Sequence, residues 1–352
     1  LPTGTFLRKN KFSFRKGTTM DRKYNAENFN EILNKLKKEY RIFAPVTLVG
    51  KGTLSDTNSV KYKQINKIED VEFRIKSSFS AKEVYMPITE TLFYFTEDAY
   101  IEPKKEEKKT LVFLRSCDVH ALKRSDEIYL RNGFEDPYYK HFRDNLKIIL
   151  IGCENSFDNC FCVSMETNKT EDFSMYLKYK KDTVYVKIKD EELSPCFQEG
   201  ESTDIEIDFV EENNVNVSIP ENLCQKVFKA AMWDEYDARC IACGRCNFVC
   251  PTCTCFTMQD IHYKDNPKNG ERRRVWASCQ VDGYTDMAGG HSFRRKNGER
   301  MRFKTMHKVY DFKKRFGYHM CVGCGRCDDV CPQYISFSNC VNKLNIAVNE
   351  VE

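Results

Sequence analysis

The chain has 352 residues, of which 41% are hydrophobic, and a mean hydropathy of −0.60. No apolar run approaches the ~18 residues of a membrane span, and the first ten residues carry neither an apolar core nor a cleavage site. A net charge of +4 hides an asymmetry: residues 264–316 hold fifteen Lys/Arg against six Asp/Glu, and the remainder is net acidic. The length fits about two domains. Eighteen cysteines exceed what core packing uses, and without a leader they imply a reducing cytoplasm and metal–sulfur chemistry rather than disulfides.

Residues 1–22 read as a polar N-terminal tail, with Met20 an alternative start to Leu1. Asn25 to Arg41 is predicted helical, because Phe29, Ile32, Leu33 and Leu36 recur at helical spacing and Glu31 precedes Lys35 by one turn. Ile42 to Val46 reads as a strand that Pro45 confines to a sheet edge. Residues 84–95 form an aromatic stretch expected in the core.

Thr110 to Leu114 is a short apolar strand, followed by a helix from Val119 to Leu130 that Asp118 is expected to cap. Lys147 to Gly152 is a second apolar strand. The three make a β-α-β unit with parallel strands, so Cys117 and Cys153, each just past a strand end, fall at one edge of the sheet, where ligand sites gather. Cys160 and Cys162 follow closely. These four cysteines, Cys117, Cys153, Cys160 and Cys162, form a candidate third metal site, with zinc or a redox-active pair as alternatives. His120 beside Cys117 could hydrogen-bond that site.

Residues 183–188 and 204–210 alternate as half-buried strands do, separated by an acidic, flexible loop from Asp190 to Asp204. Glu221 to Trp233 reads as a helix that leads into the most specific signal in the chain. Cys240, Cys243, Cys246 and Cys250-Pro251 repeat as Cys321, Cys324, Cys327 and Cys331-Pro332. This is the C-x2-C-x2-C-x3-C-P run of two-cluster iron–sulfur proteins, in which the fourth cysteine ligates the other cluster.

One [4Fe–4S] cluster is therefore assigned to Cys240, Cys243, Cys246 and Cys331, and the other to Cys321, Cys324, Cys327 and Cys250. Gly244 and Gly325 are expected to let each loop turn, and Pro251 and Pro332 to end it. A third [4Fe–4S] cluster is expected on the upstream four cysteines. Structural zinc is the alternative class, since paired C-x-x-C motifs also bind it.

Between the two runs, residues 251–320 form an insertion. Its Cys253, Cys255 and Cys279 are expected to pack inertly, as the eight ligands are already supplied. Its basic block, with Arg272–Arg274, Arg294–Lys296 and Lys313–Arg315, either counters the negative clusters, docks an acidic partner or is solvated surface. Gly289-Gly290 is read as a turn and His291 as structural. No recognition motif accompanies the basic block, so nucleic-acid binding is not expected. No G-x-G-x-x-G, P-loop or Ser-His-Asp set is present, so neither a bound dinucleotide nor a catalytic residue is expected.

The resulting organisation is a polar tail (1–22), a mixed α/β domain with the candidate third site (23–222), and a mainly helical, ferredoxin-type dicluster domain with a long insertion (223–352). Several longer phrases add to this: Pro251-Thr-Cys253-Thr-Cys255-Phe256, Glu271 to Cys279, Met287 to Arg294, Cys331 to Cys340, Ser80 to Ile88 and Arg115-Ser116-Cys117-Asp118. From about residue 24 onward the chain resembles the iron–sulfur electron-transfer subunit of anaerobic sulfite reductase, and more distantly the sulfhydrogenase β subunit. The resemblance implies a cytoplasmic protein that relays electrons from a flavin subunit oxidising NADH to a siroheme subunit reducing sulfite to sulfide. An electron-transfer subunit of a cytoplasmic hydrogenase is the alternative. The family pattern implies Pro or Gly between Cys153 and Cys160, where this chain carries Glu154 to Asp158.

Overall fold

The computed structural model describes residues 19–54, 56–104 and 106–351. The expected tail therefore lies mostly outside the described residues, but Met20–Asn25 is no tail: it forms β1, paired along its length with β9 (Thr183–Ile188). The main sheet has the order β10-β1-β9-β8-β7-β6-β2-β3. Its other members are β2 (Tyr40–Leu48), β3 (Ser59–Gln64), β6 (Lys109–Leu114), β7 (Leu146–Ile151), β8 (Met175–Lys180) and β10 (Glu201–Ser202). The pairs β2–β6, β6–β7 and β7–β8 are parallel and the rest antiparallel.

Both faces of the sheet are covered, which is why β6 and β7 read as continuous apolar runs. Leu111, Phe113, Ile149 and Ile151 pack with α1 (Ala26–Leu36) on one face. Val112, Leu114, Ile148 and Leu150 pack on the other, against α2 (Lys82–Tyr85), α3 (Ser116–Leu130) and α4 (Pro137–Asp144). Helix α1 starts at the Asn25 cap, whose side chain accepts from the Asn28 N–H, and it ends five residues before the predicted Arg41 because β2 begins at Tyr40.

Pro45 does not mark an edge strand. β2 lies between β3 and β6, and the Ile65 N–H to Ile42 O bond fixes an alternation that puts the Pro45–Tyr62 pair at a non-hydrogen-bonded position. The parallel ladder with β6 stops at Phe43, so the missing N–H of Pro45 costs the sheet nothing.

Other expectations are corrected. Residues 84–95 are not uniformly core: Val84, Tyr85, Met86 and Leu92 are buried, but the stretch continues as β4 (Thr89–Phe95), whose Tyr94 is exposed. Residues 204–210 form no strand, although Ile205 and Val210 are buried. The loop from Asp190 to Asp204 contains a 3-10 turn over Ser194–Phe197, with Leu193 and Phe197 fully buried against α1. Glu221 to Trp233 is not one helix but two short 3-10 segments, Gln225–Lys229 and Ala231–Trp233, broken at Ala230.

The C-terminal half is built from α5 (Glu235–Arg239), α6 (Arg245–Phe248), α7 (Asn297–Met306), α8 (Phe312–Phe316), α9 (Arg326–Asp329), α10 (Phe337–Asn342) and α11 (Leu344–Val351). A π-helical turn over His307–Asp311 joins α7 to α8. The insertion also supplies a hairpin, β11 (Phe256–His262) and β12 (Gly270–Trp276), and a short pair, β13 (Asp286–Met287) and β14 (His291–Ser292). β12 pairs with β4, which in turn pairs with β5 (Tyr100–Ile101), so one four-stranded sheet crosses the boundary expected near residue 222. Among the described residues no helix is long and apolar enough to cross a membrane.

Candidate metal centres

The two cysteine loops fold alike. In the second, Gly323 and Gly325 take φ of +63° and +69°; in the first, Ala242 and Gly244 take +54° and +74°. Each loop then enters a one-turn helix, α6 or α9. The glycines also permit close packing. A Cβ on Gly325 would lie 2.2 Å from the Asn159 carbonyl oxygen, and one on Gly323 would lie 2.5 Å from that of Phe161. The Phe161 N–H donates to the Gly323 carbonyl at 2.8 Å, so the second loop is docked on residues 159–162.

The fourth cysteine of each run crosses over. Cys240, Cys243, Cys246 and Cys331 line one small cavity, together with Lys304. Cys321, Cys324, Cys327 and Cys250 line a second, with Lys304 and Lys308. Cys327 borders both cavities. Lys304 and Lys308 are one turn apart on the helical segment of the insertion, and each is only 3% exposed. The Lys308 ammonium lies 3.4 Å from Cys250 Sγ and donates to Thr252 Oγ1 at 2.8 Å. Burial opposes the charge on Lys304, but Cys246 and Cys327 more than offset it and hold the ammonium well above the usual lysine range. Two buried cations facing thiol sulfurs are what an anionic iron–sulfur cube requires for charge balance.

The basic block is thus divided among several roles. Arg272 is paired with Asp260, Arg273 with Glu271, and Arg274 is buried between Glu90 at 2.7 Å and Asp136 at 2.5 Å. Arg300 is paired with Asp282. These arginines hold the insertion together and are not a free docking face.

The upstream cysteines gather at the sheet edge. Arg115, at the end of β6, donates to the Gly152 carbonyl at 2.9 Å and to Cys153 Sγ at 3.3 Å, past the end of β7. Cys117 sits in the first turn of α3, which begins three residues earlier than expected, and it packs with Cys324. Asp118 does not cap that helix: Arg115 holds the N-cap position, and Asp118 is ion-paired with Arg326. The Cys160 thiol donates to the Cys324 carbonyl oxygen at 3.5 Å, and Asn213 Nδ2 donates to Cys162 Sγ at 3.7 Å. Burial pushes the Cys162 thiol up to about 12, with Cys160 and Cys153 adding to the shift.

Lys76 reaches the same place, 3.8 Å from Cys160 Sγ, and is paired with Asp329. Glu154 to Asp158 forms the turn into Cys160, with the Phe157 ring under the Arg115 guanidinium at 4.8 Å. Ser116 Oγ is buried beside Cys117 without a hydrogen-bond partner. His120 is turned away: its Nε2 meets the Lys169 carbonyl at 2.8 Å and its Nδ1 meets Arg124. His291 is exposed and stacks edge-on with Phe293.

Lys76, Lys304, Lys308, Arg115 and Arg326 are the site residues that sequence reasoning missed. Their charge gave no periodic signal, although the lysine spacing of Lys304 and Lys308 marks one helix face. Among the described residues, no three His, Cys, Asp or Glu side chains converge on a position for a single metal ion. The eight thiols of the two C-terminal runs instead surround two cavities, as ligands at the corners of a cube do.

Residues 239–335 match the family model of a 4Fe-4S dicluster domain. Such a domain carries two [4Fe–4S] clusters, and the chain is an iron–sulfur electron-transfer protein. The chain is similar to the sulfhydrogenase 2 subunit beta of Pyrococcus furiosus, with 29% identity over 332 residues that cover 89% of this chain and 95% of the relative. No solved structure matches it.

Proposed function

We propose that this chain is the electron-transfer subunit of a multi-subunit oxidoreductase of the sulfhydrogenase kind. The observation that carries the reading is the crossing of Cys331 to the first loop and of Cys250 to the second. Cys240, Cys243, Cys246 and Cys331 would hold one cluster, and Cys321, Cys324, Cys327 and Cys250 the other. Cys117, Cys153, Cys160 and Cys162 would hold a third. When bound, the clusters supply reversible one-electron carriers.

The chain's own residues set the path and its energetics. The second loop is shared: Cys327 borders the first cavity, while Cys324 packs on Cys117 and Cys160, giving the order first, second, third. Lys304 and Lys308 offset negative charge in the middle of that path. At one end Cys243 is exposed, flanked by Ile241 at 56% and Tyr334 at 88% exposure. Large exposed apolar groups beside a redox centre suit a partner surface. The likeness along 95% of a protein named as a subunit supports a role inside an assembly.

A second reading, the iron–sulfur subunit of an anaerobic sulfite reductase with flavin and siroheme partners, is favoured by the phrases around Cys253, Trp276, Gly290 and Cys340. Structural zinc would need four ligands converging on one ion. The test is anaerobic purification of the native complex. Iron–sulfur chemistry predicts a broad visible shoulder that dithionite bleaches; a colourless zinc protein ends the proposal. Hydrogen-dependent bleaching of the shoulder supports the sulfhydrogenase reading. Copurifying siroheme absorbance with sulfite-dependent reoxidation would replace it with the second.

A further inference from the structure

The two cysteine runs repeat each other in sequence and backbone, but they differ in what covers them. Position for position, Ala242, Gly244 and Arg245 of the first run correspond to Gly323, Gly325 and Arg326 of the second. In both runs the first two positions are left-handed and a one-turn helix follows. The N-terminal half of the chain buries this face of the second run. Gly323 and Gly325 lie against the backbone of residues 159–162, and the Arg326 side chain is held by Asp118 and Ser77. No such cover forms on the first run. Ala242 keeps a Cβ where the second run has the glycine that the Phe161 carbonyl crowds, and it is partly exposed. Val281 and Ser278 of the insertion reach Gly244 but leave Ile241, Cys243 and Arg245 exposed. Among the described residues the Arg245 guanidinium has neither an ion pair nor a hydrogen-bond partner.

The open face is also built of residues that suit a contact. Ile241, Arg245, Pro332 and Gln333 border the cavity of the first cysteine set, and all four are exposed. Tyr334 follows in the same turn, its N–H donating to the Cys331 carbonyl at 3.1 Å. Its φ is +50°, a left-handed conformation that glycine takes without strain and a bulky residue does not. The ring is almost fully exposed, so packing within the chain does not repay that strain. Strain that the fold does not use marks a functional position. Tyr334 also borders a groove of about 340 Å3 that extends to Arg239, Lys343 and Ile346. Tyrosine and arginine are the side chains that most often anchor protein contacts.

We infer that the open face of the first run is the docking surface for a partner protein chain, which gives a carboxylate to Arg245 as Asp118 gives one to Arg326, and an apolar surface to Ile241 and Tyr334. Charge complementarity selects this occupant. A guanidinium beside exposed apolar groups loses its water on docking, and a carboxylate matches its paired donors. A second copy of this chain, meeting the first face to face, would bring its own Arg245 to the same patch, and like charges oppose that contact. Cys243 is exposed within the face, so the docked chain meets the first cysteine set at its outer corner. What crosses there, single electrons, rests on the proposed function; the contact itself does not.

The test uses the native complex, purified anaerobically through a tag on the full chain. Arg245→Lys keeps the charge and supplies an amine, which a carbodiimide couples to a carboxylate in contact with it. The expected result, mapped by mass spectrometry, is a crosslink from position 245 to an Asp or Glu of a different polypeptide, absent from the parent. Arg245→Glu and Tyr334→Gly should each weaken the association of the chain with that polypeptide about tenfold or more. Added salt should weaken the parent association and not that of Arg245→Glu. Both variants should keep the thermal midpoint and visible absorbance of the parent, because neither side chain is buried. Unchanged affinity in Arg245→Glu overturns the inference. So does a crosslink from position 245 to a carboxylate of this chain or of a second copy, or a chain that purifies alone. The absorbance keeps the two readings apart: a coloured chain that dithionite bleaches, whose complex ignores Arg245→Glu, loses only the docking surface. A colourless chain refutes the proposed function and leaves the surface to be judged by its crosslink.

Discussion

Arg326 donates from Nη1 and Nη2 to the two carboxylate oxygens of Asp118, at 2.7 and 3.0 Å, with both side chains 2% exposed. The two residues belong to different halves of the chain. Arg326 lies inside the second cysteine loop and Asp118 in the first turn of α3, next to Cys117. The guanidinium is completed by Ser77, whose carbonyl and hydroxyl accept from Nε and Nη2 at 3.0 Å each. Four of the five N–H donors of the arginine are thus used, and a buried pair held so fully keeps a unique arrangement. Removing one partner leaves an uncompensated buried charge. Asp118→Ala should cost about 3–5 kcal/mol, lowering the midpoint of an anaerobic thermal melt by several degrees. Asp118→Ala with Arg326→Met, which removes both charges, should recover a large part of that loss. An unchanged midpoint in the single variant contradicts a locking role.

The cysteine loops were legible because their geometry is local: four thiols and two turn positions within twelve residues define each loop whatever surrounds it. β6, α3 and β7 were legible because burial on both sheet faces leaves an unbroken apolar run. What stayed hidden depends on distant partners. Pro45 misled because its consequence depends on where the β6 ladder stops, at Phe43. Residues 204–210 alternate like a strand, yet β1 already holds the neighbouring sheet positions. The basic block looked like one surface, but Arg274 is buried against Glu90 and Asp136 while Lys304 faces thiols. Charge in a sequence does not say whether it faces water, a carboxylate or a sulfur.

The third set is tested by counting iron. If Cys117, Cys153, Cys160 and Cys162 hold a cluster, the anaerobically purified chain should contain about twelve iron atoms, three cubes of four. Cys153→Ser should lower this to about eight and leave the other two cysteine sets loaded, because Cys153 lines neither of their cavities. Equal iron in the variant and the parent would reject that assignment.

Lys304 borders the cavities of both C-terminal cysteine sets, so its charge should be felt by both clusters there. A buried positive charge stabilises the more negative, reduced state. Lys304→Gln should therefore lower both reduction potentials, by about 50–100 mV for an interaction of roughly 1–2 kcal/mol. An anaerobic redox titration followed by electron paramagnetic resonance reads the shift. Raised potentials would reverse the assigned role, and an effect confined to one cluster would show that the lysine faces a single cavity.

Cys255 should be the most acid-tolerant nucleophile among the cysteines outside the cluster sets. The hydrogen bond from Cys279 is the main cause, and with the Cys279 N–H, the Tyr284 hydroxyl and the Lys308 charge it outweighs burial, bringing the Cys255 thiol down to about 6. Cys279, the donor in that bond, is held up in turn. His307, which lines the same cavity as Cys255 and Cys279, is driven by burial down to about 4 and adds little to the pH response. A lowered thiol pKa means that the thiolate is present above about pH 6 and is lost below it. Alkylation of Cys255 by iodoacetamide, followed by mass spectrometry in the anaerobic holoprotein, should be nearly flat from pH 7 to 9 and fall about tenfold per unit below pH 6. An ordinary cysteine would still be gaining rate between pH 7 and 8.5. Tyr284→Phe removes one donor and should move the midpoint upward without changing the plateau absorbance of the clusters. A Cys255 profile that rises steadily to pH 9 would mean that the Cys279 hydrogen bond does not hold the thiolate.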